Sequence, residues 1–206
     1  MKKMKEFRKI SVIGLGLIAS SICLTLRQKD PTIKIVGYDK DIAVRNRAKK
    51  IGLCEVESNL DNAVSGSQLI ILCVPVGQMQ AVTQRLKKII EPGTTITDVG
   101  SVKLSVIEEI ESNIESVGGK YVPSHPIAGT ERSGPDAGYA GLFEGRWCIL
   151  TPTKKTNKKA LNSLETFWKF LGMQTKIMTP EHHDLVLAVT SLSLIHISEP
   201  TRPALI

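Results

Sequence analysis

The residues in this chain whose types and spacing suit chemistry are a glycine turn at Gly14 and Gly16, a carboxylate at Asp39, a serine and a lysine at Ser101 and Lys103, and an imidazole at His125. The run Ile10-Ser11-Val12-Ile13-Gly14-Leu15-Gly16-Leu17-Ile18-Ala19-Ser20, followed by Val36-Gly37-Tyr38-Asp39, reads as strand, turn, helix, strand and acidic end. That is the outline of a dinucleotide site. Gly14 lets the chain turn tightly out of the strand, and Gly16 lets backbone N–H groups of Leu15, Leu17 and Ile18 approach a pyrophosphate. Ala19 is small enough for the helix to pack close to the sheet. The positive end of that helix faces the phosphates. A carboxylate about 20 residues past the turn accepts the adenosine ribose hydroxyls and repels a 2′-phosphate, so Asp39 favours NAD over NADP. Two alternatives stay open: Asp39 simply ends a strand, and the neighbouring Lys40 leaves room for NADP.

The elements that must position these groups alternate. Helical periodicity runs from Leu17 to about Gln28, over Asp41 to Ile51, from Gln78 to Ile90 and from Val102 to Ile114. Strands are predicted over Ile33 to Val36, Leu69 to Val74, Thr94 to Val99 and Lys120 to Val122. Two more, Trp147 to Leu150 and Thr175 to Met178, flank a helix over Lys158 to Leu171. Leu69 to Val74 is apolar throughout, as a parallel strand covered on both faces must be. This alternation predicts an α/β fold, a doubly wound, Rossmann-type and mostly parallel sheet. Ligands of such sheets bind at the carboxyl ends of the strands. Val74-Pro75, Asp98 to Lys103 and the segment Ser124 to Glu131, read as a loop, all follow strands and fall on that edge.

Composition excludes several classes. A length of 206 residues suits one domain or slightly more. The net charge of +7 comes from scattered basic residues without interleaved aromatics, which argues against a nucleic-acid groove. The four cysteines, Cys23, Cys54, Cys73 and Cys148, lie in or beside apolar segments without C-x-x-C spacing, as expected of reduced thiols in a cytoplasmic protein. No signal peptide or membrane-spanning run is read. His182 and His183 point about 100° apart on a helix, so no metal site is expected; Thr179 as N-cap with Pro180 in the first turn accounts for that segment.

Several pieces together resemble the prephenate/arogenate dehydrogenase family of tyrosine biosynthesis. They are Gly14-Leu-Gly-Leu-Ile18, Val74-Pro75, Asp98-Val-Gly-Ser-Val-Lys103, His125-Pro-Ile-Ala-Gly-Thr-Glu131, Ser133-Gly134, Leu142-Phe-Glu-Gly145 and Pro180-Glu-His-His-Asp184. The resemblance implies an NAD-linked oxidative decarboxylation: hydride leaves the ring carbon bearing the hydroxyl, and loss of the proton and of carbon dioxide gives an aromatic ring. It implies that His125 accepts the hydroxyl proton and that Ser101 contacts His125 and the nicotinamide region. Ser101 also suits the N-cap of the helix read from Val102. Val74 and Pro75 would form an apolar wall against the cofactor or merely end a strand. Gly129 and Thr130 would shape the substrate loop, with Glu131 and Arg132 as further contacts. Lys103 suits either the site or a solvated first turn, and Ser133 to Gly145 either a mobile flap or an inert connection. A homodimer binding prephenate or arogenate follows from the family, with no nucleic acid or membrane as partner.

The chain departs from the family after Ser191. A long helical domain, which makes the dimer and carries a carboxylate-gripping arginine, is expected there. Leu192 to Ile206 instead resembles an in-frame adapter translation from a sequencing library, or else a divergent terminus. The expected division is a nucleotide-binding domain over 1–178, the first helix of a truncated helical domain over 179–191, and a non-native tail over 192–206. An inactive or weakly active fragment is expected. Rival readings are a β-hydroxyacid-type reductase and a non-catalytic NAD-binding module.

Overall fold

In the computed structural model, which describes residues 3–197, strands and helices alternate as the sequence predicts. The first half runs β1 (Lys9–Ile13), α1 (Leu17–Lys29), β2 (Lys34–Tyr38), α2 (Ile42–Lys50), β3 (Glu55–Val56) and α3 (Leu60–Val64). It continues with β4 (Leu69–Leu72), α4 (Val76–Leu86), β5 (Thr95–Asp98), α5 (Leu104–Glu115) and β6 (Lys120–Tyr121). These six strands form one parallel sheet in the order β3-β2-β1-β4-β5-β6. The order reverses at β1, and dinucleotides bind at such a reversal. The register aligns Ile13 with both Tyr38 and Leu72, and Leu72 with Asp98. Gly14, Asp39, Cys73 and Val99 therefore lie in one row along the carboxyl edge.

Both faces of this sheet are covered, which is why Leu69, Ile70, Ile71 and Leu72 are all fully buried. On one face α1 packs with α6 (Lys158–Leu171), whose apolar side presents Leu164, Phe167, Trp168 and Leu171. On the other, α4 and α5 contribute Met79, Leu86, Val106, Ile110 and Ile114. Burying each of these large side chains contributes roughly 1.5–3 kcal/mol.

The later strands leave the main sheet. β7 (Ser124–Pro126), β8 (Trp147–Leu150) and β9 (Gln174–Ile177) form a separate three-stranded sheet. β7 runs antiparallel to β8, pairing His125 with Ile149, and β8 runs parallel to β9. The predicted loop that begins at Ser124 is therefore a strand as far as Pro126, and His125 is fixed by a ladder rather than by a turn. α4 begins directly after Pro75, two residues earlier than periodicity suggested, because a proline at its N-cap costs no helical hydrogen bond.

The segment Ser133 to Gly145 is tied down, in keeping with a connection. Leu142 and Phe143 are fully buried, and Arg47 of α2 grips Asp136 through its Nε and Nη2. A Cβ on Gly138 would come within 2.3 Å of Ser20 Cβ, so only glycine lets this strap lie on α1. The last helix, α7 (Pro180–Ile197), enters the segment read as a tail, and Pro200 and Pro203 lie outside the described residues. Among the described residues no helix is long and apolar enough to cross a membrane.

Candidate active site

At the glycine turn Gly14 has φ +92°, and a Cβ there would stand 2.7 Å from the Cys73 carbonyl oxygen. Gly14 is thus required by the fold itself, since β1 and β4 approach closely at their ends. Gly16 differs: a Cβ there would meet nothing within 4 Å. It is the N-cap of α1, without a side-chain cap, and Leu17 and Ile18 form the first turn, which carries no acidic residue. The positive end of α1 therefore opens onto free space beside the turn, as a pyrophosphate requires.

Asp39 lies against this turn. Its Oδ2 accepts the Leu15 N–H at 2.8 Å, so that N–H, expected to face a pyrophosphate, is taken within the fold, and its Oδ1 accepts the Asp41 N–H at 2.9 Å. A carboxylate held at the crossover point beside the glycine turn fits a ribose. The sequence reading missed Arg45, whose guanidinium donates to the Asp39 and Lys40 carbonyls and lies 5.8 Å from the Tyr38 ring centre. Its contacts depend on α2 folding back onto the end of β2, which no local spacing reveals. Lys40 itself is exposed. Val74 is half-buried and Pro75 exposed, between the end of β4 and the start of α4, as strand-ending residues would be.

A chain of contacts joins the turn to the histidine. Gly14 packs on Cys73, whose thiol is pushed well up by burial and by the charge of Asp98. Asp98 forms a fully buried ion pair with Lys103 and accepts from Tyr121 Oη at 2.8 Å and from Gly100 N at 2.9 Å. Burial, together with the Asp98 charge and hydrogen bond, raises the Tyr121 phenol well above its usual value, so it remains a donor. The Lys103 ammonium donates to the Ser124 carbonyl at 2.9 Å, one residue before His125. Lys103 is thus a buried element of the site, not a solvated first-turn residue.

His125 is half-buried, and burial, the Lys103 charge and His183 lower its pKa to about 4 against the opposing pull of Asp98 and Asp184. The imidazole is therefore neutral throughout the ordinary working range, and it is a weaker base than its unperturbed value near 6.5 suggests. Its Nδ1 lies 2.9 Å from His183 Nε2. The expected orienting partner, Ser101, has an exposed side chain and makes no hydrogen bond to His125. Nor is Ser101 the N-cap of α5, which starts at Leu104 and is capped from another helix: Asp184 accepts Lys103 N–H at 2.8 Å and Leu104 N–H at 3.0 Å. His182 is exposed while His183 is buried, and Thr179 Oγ1 accepts His182 N–H at 3.3 Å in the expected capping role. The sequence reading noted His183 and Asp184 but not their role, because their partners lie 58 and 80 residues away.

Gly129 and Thr130 follow β7 on the exposed surface. Thr130, Glu131 and Arg132 line a groove of about 390 Å³ with Ala137 and Tyr139. A larger hollow, about 980 Å³ beside Lys3, Met4 and Phe170, holds none of the chemistry-bearing residues.

Against known proteins, a family profile described as the prephenate dehydrogenase nucleotide-binding domain matches residues 22–177. The chain belongs to the prephenate dehydrogenase family. It is 40% identical over 189 residues to a cyclohexadienyl dehydrogenase of Zymomonas mobilis, covering 91% of this chain and 64% of that protein. It is 34% identical to a prephenate dehydrogenase of Bacillus subtilis, covering 93% of this chain and 51% of the relative. The chain thus spans between half and two thirds of the length of these relatives. Among solved structures it is similar to prephenate dehydrogenase from A. aeolicus in complex with hydroxyphenyl propionate and NAD+. That likeness has 30% identity and a TM-score of 0.79, over 94% of this chain and 71% of that one. Synechocystis arogenate dehydrogenase gives a TM-score of 0.81 at 28% identity, over 94% and 70% of the two chains.

Proposed function

We propose that this chain is the nucleotide-binding half of an NAD-dependent dehydrogenase that oxidatively decarboxylates prephenate or arogenate, with His125 as the acceptor of the substrate hydroxyl proton. The observation that carries this reading is a neutral, half-buried imidazole tied through the Ser124 carbonyl to the buried Lys103–Asp98 pair, which sits at the same sheet edge as the glycine turn. NAD, when bound, supplies the hydride acceptor. The N-terminus of α1, with Gly16, Leu17 and Ile18, holds its pyrophosphate, Gly14 and Leu15 shape the turn beneath it, and Asp39 holds its ribose. Val74, Pro75 and Ser101 border the nicotinamide side, while Gly129 and Thr130 border the substrate. His125 takes the hydroxyl proton as hydride departs, and carbon dioxide leaves as the ring becomes aromatic.

The division at residue 178, the cytoplasmic setting and the homodimer belong to the same proposal. Leu185 and Val189, 64% and 59% exposed on α7, support packing against further helical structure. Two measurements test the reading on residues 1–206. Calorimetric titration should detect NAD binding, and NADH absorbance should show only weak turnover with prephenate or arogenate. A chain with no affinity for NAD would overturn it. Activity on 3-hydroxy acids in place of these substrates would favour the β-hydroxyacid reductase reading.

A further inference from the structure

His183 is fully buried and is bonded at both ring nitrogens. Its Nδ1 lies 2.7 Å from Asp184 Oδ1 and its Nε2 lies 2.9 Å from His125 Nδ1, with the two rings edge-to-face at 5.2 Å. Asp184 is itself pinned by the N–H groups of Lys103 and Leu104 at the start of α5. Burial opposes its charge, but the Leu104 N–H, the His183 ring and the Lys103 N–H outweigh that, and its pKa falls below the ordinary carboxylate value. It is therefore ionised and can only accept hydrogen bonds.

For a neutral His183 these contacts fix every proton in the series. Asp184 accepts, so His183 Nδ1 carries the hydrogen. A neutral His183 then has only a lone pair at Nε2, so the hydrogen between the rings belongs to His125 Nδ1. His125 is left with its lone pair on Nε2, the nitrogen that a substrate hydroxyl requires. We infer that His183 is a positioning residue for the reaction proposed above, holding His125 in the tautomer whose Nε2 is free to accept the proton. The inference rests on that proposal only for its consequence in catalysis; the tautomer itself exists without substrate.

Asp184 gives the device its rigidity. The same carboxylate that orients His183 caps α5, whose N-cap residue is Lys103, so the rings of β7 and α7 are held relative to the floor of the site. The charged and titratable groups facing His125 are Lys103 and Asp98 from the β5–α5 junction and His183 and Asp184 from α7.

Long-range proton–nitrogen correlation spectra of nitrogen-15-labelled residues 1–206 at pH 7, without cofactor or substrate, read the tautomers directly. The chain has four histidines, so His125→Gln and His183→Gln assign the rings. The expected result is a neutral Nδ1–H pattern for both His125 and His183. His183→Gln keeps an acceptor and should keep the His125 pattern. His183→Met removes it and should return His125 to the Nε2–H form that an unconstrained ring prefers. An Nε2–H pattern on His125 in the unaltered protein overturns the inference. So does an imidazolium at His183, loss of the Nδ1–H pattern in the glutamine variant, or an unchanged pattern in a folded methionine variant. If the methionine variant does not fold, the unaltered and glutamine spectra decide. Absence of prephenate turnover would strike the proposed function and leave these spectra unaffected.

Discussion

Lys103 and Asp98 meet as an ion pair with neither side chain exposed, and the same ammonium holds the carbonyl of Ser124 next to the site histidine. A buried pair gains little over apolar packing, but removing one partner leaves an uncompensated charge. Lys103→Ala strands the Asp98 carboxylate with only the Tyr121 hydroxyl and the Gly100 N–H for company. The expected loss is about 3–5 kcal/mol in urea unfolding. Removing both charges, in Lys103→Ala with Asp98→Ala, should cost less than the two single changes added together. Simple additivity would show that the two charges do not depend on each other.

The lowered pKa of His125 gives stability a defined pH dependence. Between about 4 and the unfolded value near 6.5, the unfolded chain holds a proton on this ring that the folded chain refuses. Unfolding free energy therefore falls as pH drops through that window, by up to about 3 kcal/mol, and is insensitive to this group above it. Denaturant curves at pH 7, 5.5 and 4.5 should show a steeper loss for the unaltered protein than for His125→Gln. Equal losses would mean that the folded ring takes its proton as readily as the unfolded one.

The sheet was legible because its signals are local. The apolar run at Leu69 to Leu72, the glycine turn and the 3.6-residue periodicity of Lys158 to Leu171 each occupy one element. β3 and α3, of two and five residues, are too short to carry a period and were not read. In the candidate site, residue type alone singled out Gly14, Asp39 and His125, and the contacts that surround them came only with the fold. Ser101 was assigned to orient His125 by resemblance, whereas the contact comes from His183, brought in by a helix 58 residues further along the chain. A histidine pair read for metal spacing concealed a histidine–carboxylate pair whose significance depends wholly on tertiary packing.

Asp39 should set cofactor preference through charge. Its side chain accepts the Leu15 and Asp41 N–H groups, which an asparagine oxygen can also do in part. Asp39→Asn thus retains much of the turn while removing the repulsion of a 2′-phosphate, and the Arg45 guanidinium nearby becomes the dominant charge. NAD affinity should fall about tenfold, the loss of roughly one charge-assisted hydrogen bond, while NADP affinity should hold or rise. Parallel titrations with the two cofactors measure the ratio. An unchanged ratio would remove Asp39 from the ribose site.

The two turn glycines should separate folding from binding. Gly14→Ala forces a side chain into a left-handed conformation and against the Cys73 carbonyl, so it should cost about 2–4 kcal/mol of stability. Gly16→Ala meets no atom within 4 Å, and its backbone, at φ −85° and ψ −165°, suits any residue. Its stability should stay within about 1 kcal/mol of the unaltered protein, the difference between glycine and alanine at an N-cap. The open space it fills is the proposed pyrophosphate site, so NAD affinity should still drop by at least about tenfold. Thermal melts and NAD titrations of both variants give the comparison. A Gly16→Ala protein that melts normally and binds NAD normally would place the cofactor elsewhere, because no contact within the fold explains a glycine at that position.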